Sequence, residues 1–207
     1  PKYKTETLFT SAIHPDVTRP NRFWIALATF QGGWELFSFH TVEKTFEPCA
    51  VGTVPFRGYV WNIFDDPDGI LWFVASNGLH PFDPKSKTFL ALDGLPEAFK
   101  KMNKTWLFSA NLGPDGKFWI GTGKEGFCSV DKRTGQTVRY DADFASSGTA
   151  GKNKAIKAVL HDRSGIVWVG SLTGGLYRIT PGERPFRLVL PDTSKAPVSL
   201  TTNSVDG

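Results

Sequence analysis

The chain has 207 residues, 24 basic and 20 acidic side chains, and a formal net charge of +4. Hydrophobic residues make up 40% of it, with 17 Phe and 7 Trp, so it can build a real core and is not a disordered chain. Despite a pI near 9.1, its cations are scattered apart from Lys100-Lys101, Lys104 and the stretch Lys152 to Lys157. That leaves no path of converging charge for a polyanion, and nucleic acid is not an expected partner. No apolar run approaches the roughly 20 residues that a membrane-spanning helix needs. No secretory leader is recognisable and the first residue is Pro1, so the termini read as cut.

In chain order, the predicted elements are short strands. Leu8 to Ile13 opens the series, and Asn21 to Leu27 forms a strand around Trp24. Trp34 to Phe39 and Thr45-Phe46 complete the group, with a long glycine turn at Gln31-Gly32-Gly33 where a bulge or extended loop is expected. A second group opens with Tyr59 to Phe64, turns at Asp66-Pro67-Asp68-Gly69, runs through Trp72 and Leu79 to Phe82, and ends near Thr88 to Leu92. Asp and Pro initiate such a turn, and Gly supplies its left-handed position. Leu95, Ala98, Phe99 and Met102, three and four residues apart, predict a short helical turn between Asp93 and Lys104.

The third group runs from Thr105 to Leu112, through Gly113-Pro114-Asp115-Gly116, to Phe118 to Thr122, Gly126 to Val130 and Thr137 to Tyr140. The fourth has Ala155 to Leu160, the turn Asp162-Arg163-Ser164-Gly165, then Val167 to Ser171, Gly175 to Ile179 and Phe186 to Leu190. Residues 198–207 resemble the lead-in to a further copy, with Val205 where Val60, Leu107 and Ile156 stand in theirs.

The groups are one text repeated. Their anchors are Trp24, Trp72, Trp119 and Trp168, spaced by 48, 47 and 49 residues, and Gly69, Gly116 and Gly165 each stand three residues before the Trp. Asn21 holds that place in the first copy and is the non-glycine residue that best tolerates positive φ. A period of this size with four short strands per copy predicts an all-β fold, a partial β-propeller of about four four-stranded antiparallel blades with a truncated fifth repeat. The chain reads as one propeller fragment, residues 1–207, with copies near 7–50, 57–95, 104–141 and 153–191. Val60 and Ile63, Leu107 and Ala110, and Ile156 and Val159 read as opening strands apolar on both faces. Each anchoring Trp is expected to pack between consecutive sheets.

These residues resemble the two-component regulator propeller repeat. The second copy carries the resemblance through Asp66, Gly69, Leu71, Trp72, Gly78, Leu79, Phe82, Asp83 and Pro84. The fourth carries it through Asp162, Gly165, Val167, Trp168, Gly170, Gly175 and Leu176. The third keeps Gly116, Trp119, Gly121, Thr122 and Gly126 but has Gly113 for the Asp, and the first keeps little beyond Trp24, Ile25 and Gly33. The resemblance implies paired seven-bladed propellers in the periplasmic, extracytoplasmic region of bacterial hybrid histidine kinases. Many of these respond to carbohydrate fragments. It also implies that the partners are an oligosaccharide ligand, the remaining blades and signalling domains of the parent chain, and a second subunit in a dimer. The alternatives are a platform for protein–protein interaction or sensor dimerisation, and behind it a propeller-fold lyase.

No catalytic constellation is visible, and no cofactor is expected. The four His (14, 40, 80 and 161) have no metal-ligand spacing, alone or with Cys49 and Cys128, so no metal is expected. Cys49 and Cys128 fall at different places in non-adjacent copies and read as two buried free thiols. His161 reads as a turn or surface residue, and Asp66, Asp68, Asp115 and Asp162 as acceptors for the backbone of their own turns. Loops entering the inner strands open onto one end of a propeller channel. There Arg57, Tyr59 and Trp61, with Lys104 and Trp106 at equivalent places, are the candidate ligand-binding residues. Aromatic faces beside cations suit sugar rings bearing hydroxyls or acidic groups, although Trp61 and Trp106 could instead pack between blades.

Overall fold

The structure, a computed structural model, describes residues 8–29, 34–49, 58–140, 155–180 and 187–189. The four copies form four four-stranded antiparallel sheets, each with its strands in simple chain order. The first holds β1 (Leu8–Pro15), β2 (Arg22–Thr29), β3 (Trp34–His40) and β4 (Thr45–Pro48). The second holds β5 (Val60–Asp65), β6 (Leu71–Ala75), β7 (Gly78–Asp83) and β8 (Thr88–Phe89). The third holds β9 (Leu107–Leu112), β10 (Lys117–Thr122), β11 (Phe127–Asp131) and β12 (Thr137–Arg139). The fourth holds β13 (Ile156–His161), β14 (Val167–Ser171), β15 (Gly175–Ile179) and β16 (Arg187–Val189). The opening strands β1, β5, β9 and β13 contact one another in sequence, which stacks the sheets as blades of a partial β-propeller. The turn at 31–33 and the stretch 198–207 lie outside the described residues.

Three apolar clusters fill the three spaces between blades. Trp24 lies with Ile63, Leu71 and Phe73 between the first and second. Trp72 lies with Leu107, Phe118 and Ile120 between the second and third, and Trp119 with Ile156, Val159 and Val169 between the third and fourth. Each of these indoles meets a ring of the following blade: Trp24 on Phe82 (6.0 Å), Trp72 on Phe118 (4.9 Å) and Trp119 on His161 (5.4 Å between centroids). Trp168 departs from the expectation. It is only half-buried, because no described sheet lies on its side of the fourth blade.

The residues read as the two apolar faces of the opening strands also need correction. Val60 pairs with Ala75 and Ile63 with Phe73, two residues apart on β6, so both point the same way, toward the first blade. A spacing of three in β5 is reconciled with a spacing of two in β6 by one extra residue, a β-bulge. The opposite face is carried by Phe64, Trp72 and Val74.

The turn chemistry is tied to the indole. Asp66 Oδ1 accepts the backbone N–H of Asp68 (2.9 Å) and of Ile70 (3.1 Å), while Oδ2 accepts the Trp72 indole N–H at 2.7 Å. Asp162 does the same for Ser164, Ile166 and Trp168. Its bonds to the Ser164 hydroxyl and the Trp168 indole hold its carboxyl down to about 2. Asp68 is the exception among the turn carboxylates, for it accepts from Lys132 Nζ at 2.5 Å rather than from its own backbone.

The third copy has Gly113 at this position, where a Cβ would fall 2.7 Å from Trp119 Nε1 and 2.5 Å from Asp115 Oδ1. Asp115 has moved into the gap and takes the indole at 3.2 Å. His161 closes on the same spot. It is a packing residue between blades rather than a surface one, with both ring nitrogens buried and unpaired. Burial lowers its pKa against the pull of Asp115 and Asp162.

The first copy, read as worn, keeps the turn through Asp16. The Asp16 N–H donates to Arg22 O as that of Asp66 does to Ile70 O, with a turn two residues longer. Asn21 takes the left-handed position at φ 60°, beside 78° at Gly69, 72° at Gly116 and 82° at Gly165. The single helix among the described residues, α1 (Glu97–Met102), buries Phe99 and Met102 against the second and third blades. Cys49 and Cys128 are buried free thiols, and burial raises the pKa of Cys49.

Candidate functional site

The bulge recurs in every inner strand at the same register. Pairing skips from Thr10 to Ala12 in β1, from Val60 to Asn62 in β5, from Leu107 to Ser109 in β9 and from Ile156 to Ala158 in β13. The released residues are Ser11, Trp61, Phe108 and Lys157. A bulge re-aims one side chain without disturbing the alternation on either side of it. In the second and third blades the residue following the bulge ties the blades together. Asn62 Nδ2 donates to Ala110 O at 2.9 Å, and Ser109 Oγ accepts from Val159 N at 2.9 Å. In the first blade the bulged Ser11 itself donates to Val60 O.

Three of the four released side chains meet. Trp61 lies 5.3 Å from Phe108 between ring centroids, and Lys157 Nζ sits 3.9 Å from the Phe108 centroid and 5.4 Å from that of Trp61. The row is lengthened by the residue just before each inner strand. Tyr59 packs on Trp61 at 5.7 Å, and Trp106 on Phe108 at 5.4 Å. These flanking residues are clamped by the next hairpin, as Ser76 N donates to Tyr59 O (2.9 Å) and Gly123 N to Trp106 O (2.7 Å). A Cβ on Gly123 would lie 3.3 Å from the Trp106 indole, so the bare glycine lets the hairpin pass close beside that ring. In the fourth blade the equivalent carbonyl, bonded by Leu172 N, belongs to Ala155.

The structure therefore brings Tyr59, Trp61 and Trp106 together, and it leaves them partly open: 36%, 37% and 49% exposed. Neither Trp packs between blades. Lys104 is elsewhere. It follows α1 and lines a separate groove of about 390 Å3 with His80, Leu90, Leu92, Lys100 and Asn103. Burial keeps His80 in that groove neutral, with its pKa lowered to about 4. Arg57 lies outside the described residues. Sequence reasoning missed Phe108 and Lys157, yet both follow directly after the first buried residue of the inner strand, as Trp61 does. Counting that position across the repeats would have found them.

The turn carboxylates considered for catalysis are committed to the turn backbone, the indoles and Lys132. Among the described residues no group of three or more His, Cys, Asp or Glu side chains could hold a metal. No described helix is long and apolar enough to cross a membrane.

No protein-family model matches the chain, and no curated protein matches it. Solved structures do match. The extracellular domain of the candidate hybrid two-component system BT4673 from B. thetaiotaomicron superposes with a TM-score of 0.64 at 18% identity, covering 95% of this chain and 24% of that one. The corresponding domain of BT3049 from the same organism gives 0.58 at 15%, covering 88% and 24%. PorZ, a surface component of the type-IX secretion system of Porphyromonas gingivalis, gives 0.60 at 15%, covering 94% and 28%. At such identities the likeness is one of fold: the chain shares the propeller fold of these extracellular domains and spans about a quarter of their length.

Proposed function

We propose that the chain is a ligand-sensing propeller segment from the extracytoplasmic region of a bacterial two-component sensor, with a carbohydrate-derived ligand docking on the axial row. The observation that carries the reading is that row: four aromatic rings from two blades, partly exposed, with an ammonium over two of them. Exposed ring faces next to a cation match the apolar CH faces and polar rims of sugar rings. The fold likeness to extracellular domains of candidate hybrid two-component systems supports the signalling context. In this reading the remaining blades, the output modules and a second subunit belong to the parent assembly, and no catalytic step is assigned to the segment.

Titration calorimetry with a panel of neutral and acidic oligosaccharides tests it. Heat of binding that Trp61→Ala abolishes, with the far-UV spectrum unchanged, is the expected result. No heat across the panel refutes it and favours a second reading, a docking platform. Ile13 and Phe46 on the outer side of the first blade and Leu160 beside Trp168 on the fourth are exposed and would make its contacts.

A further inference from the structure

We infer that the axial row selects an anionic sugar, one bearing a carboxylate or sulfate, and that Lys157 reads the charge. The inference rests on the reading of the row as a sugar platform. Lys157 is the bulged residue of β13, and it brings a cation to the place where β5 and β9 bring Trp61 and Phe108. The flanking position filled by Tyr59 and Trp106 in those blades is Ala155 in the fourth. That blade therefore contributes charge where its neighbours contribute rings.

Among the described residues the ammonium has no carboxylate partner. Lys100, Lys117 and Lys132 all pair with acidic side chains, whereas Lys157 among the described residues has only the ring faces of Phe108 and Trp61. Glu125, on the hairpin beside Trp106, is held by Arg139 at 3.0 Å and does not compete for it. An exposed ring face holds an ammonium more weakly than a charge-assisted hydrogen bond does. The row thus holds a positioned cation in a weak contact. A ligand carboxylate or sulfate takes over the ammonium, and the sugar's CH face takes over the rings. Lys104 lines the groove near His80 and is not a member of this cluster.

The test is a fluorescence titration of the protein with oligomers of galacturonate, of glucuronate and of sulfated galactose, each beside its neutral parent at equal length. At least one charged sugar is expected to bind roughly tenfold to a hundredfold tighter than its parent, the range of a single charge-assisted hydrogen bond. Added salt should narrow that gap in the unmutated protein. Lys157→Gln should abolish the preference, charged and neutral sugars then binding alike, and Lys157→Arg should retain it. A preference that survives Lys157→Gln, or neutral sugars binding as tightly as charged ones, overturns the inference and leaves the sugar-binding reading standing. No binding by any member, charged or neutral, overturns both.

Discussion

Replacing Asp66 by alanine removes one carboxylate that serves four donors. Two are the turn's own N–H groups, one is the Trp72 indole at 2.7 Å, and the last is Lys132 Nζ, also at 2.7 Å, reaching across from the third blade. The side chain of Asp66 is 0% exposed and that of Lys132 is 25% exposed, so water does not readily replace the lost oxygen at the indole. A hydrogen bond to a charged group contributes about 1.5–3 kcal/mol, but four on one carboxylate do not add, because its own desolvation offsets part of the sum. Breaking a buried pair by removing one partner costs roughly 3–5 kcal/mol, and that is the expected loss. Set against a total of about 5–15 kcal/mol for a folded domain, the effect is easily measured by urea unfolding followed through tryptophan emission. Asp162→Ala is the control, since it removes the same turn and indole bonds beside the half-exposed Trp168, where solvent substitutes. Lys132→Met should lower the midpoint in the native background and change it little once Asp66 is gone. Equal losses at positions 66 and 162 would refute the claim that burial of the carboxylate–indole pair is what gives the turn its strength.

The buried His80 predicts a pH dependence. Its folded pKa is near 4, below the unfolded value of 6.5, so the unfolded chain takes up the proton first. The associated stability is complete above about pH 6.5 and falls by about 3 kcal/mol as the pH drops toward 4; urea midpoints compared between native protein and His80→Gln should converge in acid. Gly121→Ala would drive a Cβ to 2.6 Å from Ile156 Cγ2 and 2.9 Å from Ile156 O, where the third and fourth blades meet. A loss of roughly 1–3 kcal/mol is expected, read as a lowered Tm. Trp72→Ala should cost roughly 3–5 kcal/mol and Trp61→Ala about 1 kcal/mol, because the first fills the space between blades and the second only rests on neighbouring rings.

The period of the tryptophans made the blades readable, because every blade needs the same turn, the same filler and the same left-handed residue. Asn21 was legible for that reason. Asp16 was not, since two inserted residues moved it from six to eight positions before its Trp, out of the register used to compare copies. The paired face of Val60 and Ile63 was misread because a bulge leaves no composition signal: Trp61 has the β-propensity of any strand residue, and only the partner strand reveals that it is unpaired. The candidate site was half legible. Tyr59, Trp61 and Trp106 stand out by residue type, whereas Lys157 looks like a member of the basic run that begins at Lys152 until β13 is laid beside β9.

The bulge also explains how one repeat can carry different chemistry in each copy. Most other residues of the inner strands are claimed. Val60, Leu107 and Ile156 are buried against the preceding blade, Asn62 and Ser109 reach to the next, and the last residues feed the turn that anchors the indole. A substitution at any of these is felt at an interface. The bulged residue belongs to neither face, so Ser11, Trp61, Phe108 and Lys157 can differ in size, polarity and charge while the ladders around them stay in register. Deleting Trp61 rather than replacing it would remove the extra residue and leave Val60 two positions before Ile63, on the same face and opposite the same partners of β6. Such a deletion should therefore cost the second blade about as much as Trp61→Ala does, read from urea midpoints. A far greater loss on deletion would mean that the bulge itself, and not only the ladders on either side of it, is needed to pack the blade.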